Sequence, residues 1–166
     1  MKIAFTGKAG SGKSSACKYL VEKYSGIEKS FAEPLYDILY YAQRTLHFKQ
    51  EKDRKFLQYI GTDWARSKNE NVWINLLLES CDNYDKNIFI SDLRFKNELV
   101  ALKDKGFIII LIVRDDNSQN DDYKKHISEN DLNECIHLMN FIIKNDDTIE
   151  KFYENLDNII QKITFD

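Results

Sequence analysis

The 166-residue chain has one proline, three cysteines, no surplus of positive charge and no long apolar run. Cys17, Cys81 and Cys135 are odd in number, far apart and without C-x-x-C spacing or partner histidines. That argues against a disulfide framework and a zinc site, and for reduced thiols in a cytoplasmic protein. The 24 Lys and Arg stand against 27 Asp and Glu, so no global basic field draws the chain to nucleic acid or to an acidic membrane. Any anion site must be local. No stretch approaches the roughly 18 apolar residues of a membrane helix. Met1 leads straight into an apolar segment, without the charged and apolar regions of a secretory leader, so a cytoplasmic location is expected. The single proline, Pro34, follows Glu33 near a helix start, where its missing N–H costs little. What is present is ordinary for a folded protein: 43% hydrophobic residues, too apolar for disorder and long enough for one domain, residues 1–166.

Apolar runs of strand length recur at Lys2–Thr6, Ile27–Phe31, Asn87–Ser91, Phe107–Val113 and Asn140–Lys144. None alternates cleanly, as expected of strands covered on both faces. Between them lie helical patterns. Cys17, Leu20, Val21 and Tyr24 share a face, as do Leu35, Ile38, Leu39 and Ala42. Leu57, Ile60 and Trp64 mark another helix, then Trp73, Leu76, Leu77 and Cys81, then Phe95, Leu99 and Leu102, which ends at Gly106. Ile149, Phe152, Leu156, Ile160 and Ile163 mark the last. The alternation predicts an α/β fold: a three-layer sandwich with about five parallel strands and helices on both faces. Residues 33–82 supply about three helices where one crossover would suffice, and read as a substrate-binding insertion. Residues 114–131 are polar and weakly periodic, and read as a lid-like loop or as a solvated connection.

The first strand runs into Gly7-Lys8-Ala9-Gly10-Ser11-Gly12-Lys13-Ser14, which satisfies G-x-x-x-x-G-K-[ST] at every defined position. The glycines let backbone N–H groups converge on phosphate oxygens, and the helix that follows aims its positive dipole end at them. This is a P-loop of a P-loop NTPase fold. The expected ATP-binding set is Gly7, Ala9, Gly10, Ser11, Gly12, Lys13, Ser14 and Ser15. Lys13 is expected to bridge the β- and γ-phosphates and Ser14 to offer its hydroxyl to Mg²⁺. Lys8, at a variable position, fits a solvated surface lysine equally well. Neither N-K-x-D nor D-x-x-G, the marks of a GTPase, is present, and Lys144-Asn145-Asp146-Asp147 has the wrong order. A small-molecule kinase is what remains. Asp92, delivered by the strand Asn87–Ser91 to the same edge, would hold Mg²⁺ through water or orient the acceptor. Arg94 suits bidentate contact with a phosphate, or a surface ion pair with Asp92.

Taken in order, four further segments carry a family resemblance along most of the chain. Ser30-Phe31-Ala32-Glu33-Pro34-Leu35, Leu57-Gln58-Tyr59-Ile60-Gly61-Thr62-Asp63-Trp64-Ala65-Arg66 with Trp73 beyond it, Ser91-Asp92-Leu93-Arg94-Phe95-Lys96-Asn97-Glu98, and His126-Ile127-Ser128-Glu129 resemble the bacteriophage-type deoxynucleoside monophosphate kinases. The resemblance implies transfer of the γ-phosphoryl of ATP to a dNMP. It implies catalytic roles for Lys13, Asp92, Arg94 and a lid cation, Arg114 with Lys124 and Lys125 as the other candidates, and metal contacts from Ser14 and Asp92. It places the acceptor against Phe31, Arg44, Gly61, Asp63, Arg66, Trp73, Arg94 and Glu98. Where that family often has a lysine after P-L this chain has Tyr36, which leaves a phosphate contact to Arg44 or Arg66.

The residues alone keep other readings open. Gly61 interrupts a helical pattern at a cost of roughly 1 kcal/mol, so either a nucleotide or another helix packs closely there. Trp64 and Trp73 fit a helix face in the core or stacking on a base. Arg66 fits a phosphate grip or an exposed helix position. His126, Ser128 and Glu129 are adjacent loop residues without a nucleophile elbow and do not make a triad. Two functional alternatives stand beside the dNMP kinase: a small P-loop kinase for a non-nucleotide acceptor such as phosphomevalonate or dephospho-coenzyme A, and a nucleotide-binding module without transfer. The expected partners are small-molecule nucleotides, with a homodimer as an open assembly and no nucleic acid or membrane.

Overall fold

The computed structural model describes residues 1–82, 84–114 and 132–165. They divide into two compact units, Met1–Glu28 with Asp85–Asp166, and Lys29–Tyr84.

The first unit is built on strands β1 (Lys2–Thr6), β2 (Gly26–Lys29), β3 (Asn87–Ile90), β4 (Ile108–Val113) and β5 (Phe141–Lys144). β-Branched residues dominate β4, IIILIV, because a pleated strand buried on both faces has no use for polar alternation. The sheet order is β2-β3-β1-β4-β5. β1 pairs in parallel with β3 and β4, and β4 with β5. Helix α1 (Lys13–Tyr24) follows β1 directly. Ile3, Phe5, Phe89, Ile110 and Ile112 face Ala16, Cys17 and Leu20 of α1, and Phe152, Leu156 and Ile160 of the last helix. Strand residues of opposite parity, Ala4, Ile88, Ile90 and Ile109, have no exposed surface either, so the sheet is covered on both faces. Each fully buried Phe or Ile contributes about 1.5–3 kcal/mol.

The second unit holds α2 (Glu33–Thr45), α3 (Arg54–Gln58), a π-helical turn Tyr59–Trp64, α4 (Ala65–Lys68) and α5 (Val72–Asp82). Pro34 sits in the first turn of α2, where its fixed φ helps and its missing N–H costs nothing. The Asp53 side chain accepts from Phe56 N at 3.0 Å and starts α3. Gln43 is buried and bonds the Glu51 backbone in both directions, which pins the loop after α2 back onto it.

Every strand but the first differs from its predicted bounds by one or two residues, and two shifted boundaries, one of a strand and one of a helix, have a visible local cause. The second strand ends at Lys29 rather than Phe31, because Ser30 Oγ accepts from Ala32 N at 3.1 Å and turns the chain. Helix α6 starts at Lys96 rather than Phe95, which is extended at φ −110° and ψ 151°. The helix spans Lys96–Asp104 and closes two residues before Gly106, whose φ is 77°. The last helix, α7, is Ile149–Phe165.

Candidate active site

Strand β1 occupies the centre of the sheet, between β3 and β4. The chain reverses its lateral direction at its carboxyl edge, where ligands of open parallel sheets bind. The segment leaving that edge is the glycine loop. Gly7, Gly10 and Gly12 adopt φ of 137°, 78° and 109°, backbone that L side chains rarely adopt. Space is short as well: a Cβ on Gly7 would fall 2.2 Å from the Ile112 carbonyl oxygen. Lys13 Nζ folds over the loop and donates to the Gly7 and Lys8 carbonyl oxygens, both at 2.7 Å. Among the described residues one buried side-chain polar atom has no hydrogen-bond partner, Ser11 Oγ, in a residue only 2% exposed. Such an orphan calls for a missing partner, and a phosphate oxygen suits a hydroxyl donor. Ser14 and Ser15 are exposed at the start of α1, and Ala9 is exposed at the loop tip.

Three residues arrive from other strand ends. Ala4 of β1 lies opposite Ile90 of β3, so Asp92, two residues on, emerges level with Thr6 at the mouth of the loop. Its charge is felt one turn along α1. Burial, then Glu28 and Asp92, push the Cys17 thiol far up, with partial relief from a Ser91 hydrogen bond, so this thiol stays protonated. Arg94 is exposed, and its backbone is fixed from behind: Glu98 Oε2 accepts from the N–H groups of Arg94 and Phe95, each at 3.0 Å. Glu98 is 2% exposed. It therefore holds the backbone of the Arg94 loop in place. Arg114, past the end of β4, reaches the loop with Nη1 donating to the Gly10 carbonyl oxygen at a long 3.4 Å.

A further neighbour of the loop was not singled out from sequence. Asn145, one residue past β5, donates from Nδ2 to the Ser11 carbonyl oxygen at 2.8 Å in a buried contact. In the linear chain its only signal is a polar residue ending an apolar strand, and it lies 134 residues from its partner.

The second unit carries the other expected contacts. Gly61 lies buried in the π-helical turn. Its close neighbour is a helix: an added Cβ would meet Leu35 Cδ2 of α2 at 2.8 Å. Trp73 is 5% exposed and donates from Nε1 to the Gly61 carbonyl oxygen at 2.8 Å. Its ring is thus core, and it locks the turn that a π-helix, with its altered hydrogen bonding, leaves in need of partners. Trp64, which also fits a core face by sequence, is 51% exposed. Phe31 is buried, Asp63 exposed, and Arg44 borders an open groove of about 510 Å³ with Asp37, Tyr40 and Tyr41. Arg66 in α4 is partly exposed, and its Nη1 lies 3.4 Å from the Glu70 carbonyl oxygen. Lys124, Lys125, His126, Ser128 and Glu129, with the lid-like loop beyond Arg114, lie outside the described residues.

A phosphate loop joining the central strand to the first helix of a parallel sheet in this order defines a P-loop nucleotide-binding fold. Solved structures share this fold. The chain is 20% identical to dephospho-CoA kinase from Campylobacter jejuni, with 98% of each chain covered and a TM-score of 0.59. It is 12% identical to shikimate kinase from Aquifex aeolicus, with 99% of this chain and 96% of that one covered and the same TM-score, 0.59. At these identities the likeness is one of fold. Sequence comparison is sharper. A model of the deoxynucleotide monophosphate kinases matches residues 48–156. A protein of Acanthamoeba polyphaga mimivirus, provisionally named a deoxynucleotide monophosphate kinase, is 32% identical over 93% of each chain. The chain belongs to the deoxynucleotide monophosphate kinase family.

Proposed function

We propose that this protein transfers the γ-phosphoryl group of ATP to a deoxynucleoside monophosphate, giving dNDP and ADP. The observation that carries the reading is the family match over residues 48–156 in a chain whose separate N-terminal loop satisfies the P-loop pattern in full. The loop supports the donor half, with its positive-φ glycines, its poised Lys13 and its orphaned Ser11 hydroxyl.

An acceptor phosphate oxygen attacks the γ-phosphorus as the bond to the bridging β–γ oxygen breaks, and ADP departs. The acceptor is largely ionised near neutral pH and needs no strong base, so catalysis is alignment and charge neutralisation. Lys13 gives up its two loop carbonyls for the β- and γ-phosphates. Arg94 and Arg114 neutralise the moving group. Arg66 grips the acceptor phosphate, with Arg44 and Asp63 contributing to the acceptor side and Phe31 and Trp73 supporting it from the core. Ser14 and Asp92 are the residues that would hold Mg²⁺, which when bound supplies further charge neutralisation. One hydroxyl and one carboxylate at adjoining ends suit an ion that keeps waters and substrate phosphates as its other ligands. Among the described residues no cluster of three or more His, Cys, Asp or Glu offers a denser cage. We place the enzyme in the cytoplasm on its three free cysteines, and take nucleotides as its partners.

A coupled ADP-release assay over dNMPs, NMPs, phosphomevalonate and dephospho-coenzyme A tests this. Turnover of at least one dNMP is expected. Turnover of a non-nucleotide acceptor alone, or of nothing in the panel, would overturn it.

A further inference from the structure

In a trans peptide the C=O and N–H point in opposite directions, so whatever holds one end aims the other. The Ser11–Gly12 peptide of the phosphate loop is held from behind. Asn145 Nδ2 donates to the Ser11 carbonyl oxygen at 2.8 Å. Asn145 is itself pinned, its own N–H donating to the Val113 carbonyl oxygen at the end of β4, also at 2.8 Å. The residue is 8% exposed. The fit is close, since a Cβ on Gly12 would come within 2.5 Å of Asn145 Nδ2.

The loop needs such a hold. Glycine reaches either sign of φ at similar cost. Gly12, at φ 109°, adjoins this peptide and therefore also lets its plane turn over. A turned plane would present the Ser11 carbonyl oxygen, with its partial negative charge, to a phosphate in place of the Gly12 N–H. The same Ser11 carries the buried hydroxyl without a partner, so the residue that Asn145 grips also brings an unused donor.

We propose that Asn145 is a positioning residue of the donor site. Its side-chain amide fixes the Ser11–Gly12 peptide so that the Gly12 N–H and the Ser11 hydroxyl face the donor's phosphates. The proposal rests on the reading of the loop as the ATP-phosphate site. Asn145 acts through Ser11 and does not itself touch the nucleotide.

The test compares wild type with Asn145→Ala, titrated with MgADP by calorimetry and assayed by ADP release with a dNMP. MgADP affinity should fall about 10- to 100-fold, the worth of a hydrogen bond to a charged group. KM for ATP should rise in parallel while KM for the dNMP stays unchanged. A merely structural residue would alter both KM values together. Asn145→Asp adds a second readout: an ionised carboxylate cannot donate to the Ser11 carbonyl, but a protonated one can. Its affinity relative to wild type should therefore recover as pH falls toward the carboxyl pKa. MgADP binding by Asn145→Ala within threefold of wild type would overturn the proposal. Should the variants fail to fold, nitrogen-15 NMR of the wild type decides. The Asn145 side-chain amide protons should exchange slowly, and free exchange would overturn the proposal equally. A wild type that binds no MgADP would instead sink the donor-site reading, a distinguishable result.

Discussion

Lys13 is the residue on which the donor site turns. Its ammonium holds the Gly7 and Lys8 carbonyl oxygens, so it both braces the free loop and stands ready to exchange those oxygens for more strongly charged ones. Lys13→Ala should lower kcat/KM for phosphoryl transfer by at least about 100-fold, the typical loss for one preorganised charge-stabilising donor. Near-normal rates in the ADP-release assay would refute its role. Two glycines separate backbone need from packing. At Gly7 an added Cβ meets the Ile112 carbonyl oxygen, which is backbone, at a φ of 137°, so Gly7→Ala should cost about 1–3 kcal/mol or more. At Gly61 the added Cβ meets only the tip of Leu35, and alanine regains about 1 kcal/mol of helix propensity. Gly61→Ala should change stability by less than about 1 kcal/mol, as read by urea denaturation. A large loss at Gly61 would show that its close neighbour is something other than Leu35.

At the scale of elements, α1 and α7 are tied by one carboxylate. Asp157 of α7 accepts from Tyr19 at 2.8 Å, from Lys23 at 2.6 Å and from Tyr24 at 2.9 Å. Tyr19 stacks on Tyr153 with ring centroids 4.0 Å apart. Partial burial is the largest single influence and pushes the carboxyl up, but the three hydrogen bonds and the Lys23 charge together outweigh it and hold its pKa below the usual carboxylate value. The sign follows. A depressed folded pKa means that the carboxylate's contribution is complete above the unfolded value, about 3.9, and is lost as pH falls through the folded pKa. Asp157→Asn should therefore destabilise the protein by about 1–2 kcal/mol at pH 7. It should also flatten the stability profile below about pH 4. An unchanged acid limb in chemical denaturation at stepped pH would contradict this. The helices themselves could be read from the 3.6-residue spacing of Cys17, Leu20 and Tyr24 and of Phe152, Leu156 and Ile160. Their joining could not, because Tyr19 and Asp157 are 138 residues apart and polar residues on a helix surface do not announce partners.

For the whole molecule, two substrates imply two separable linkages. A ligand that binds only the folded state at 100 times its Kd stabilises by about 2.7 kcal/mol, which is roughly 5–10 °C in Tm at this length. MgATP and a dNMP should each produce such a shift. Arg66→Ala should keep the MgATP shift, lose most of the dNMP shift and raise KM for the dNMP about tenfold. A defect confined to ATP would contradict the assignment of Arg66 to the acceptor side.

The chain's order of apolar runs and helical faces was enough to specify a parallel α/β sheet with a helical insertion, because burial on two faces and 3.6-residue periodicity are local properties of the string. The phosphate loop was legible for the same reason, its eight-residue span Gly7–Ser14 containing the whole motif. Only the tertiary structure decided which polar residues brace that loop and which aromatic residues serve as core. Glu98 caps the Arg94 turn, Trp73 locks Gly61, and Asn145 reaches Ser11 across the sheet. The physical reason is that a hydrogen bond requires two atoms to meet. A period in sequence shows which face a residue shares, while the partner it meets there is set by how distant segments pack.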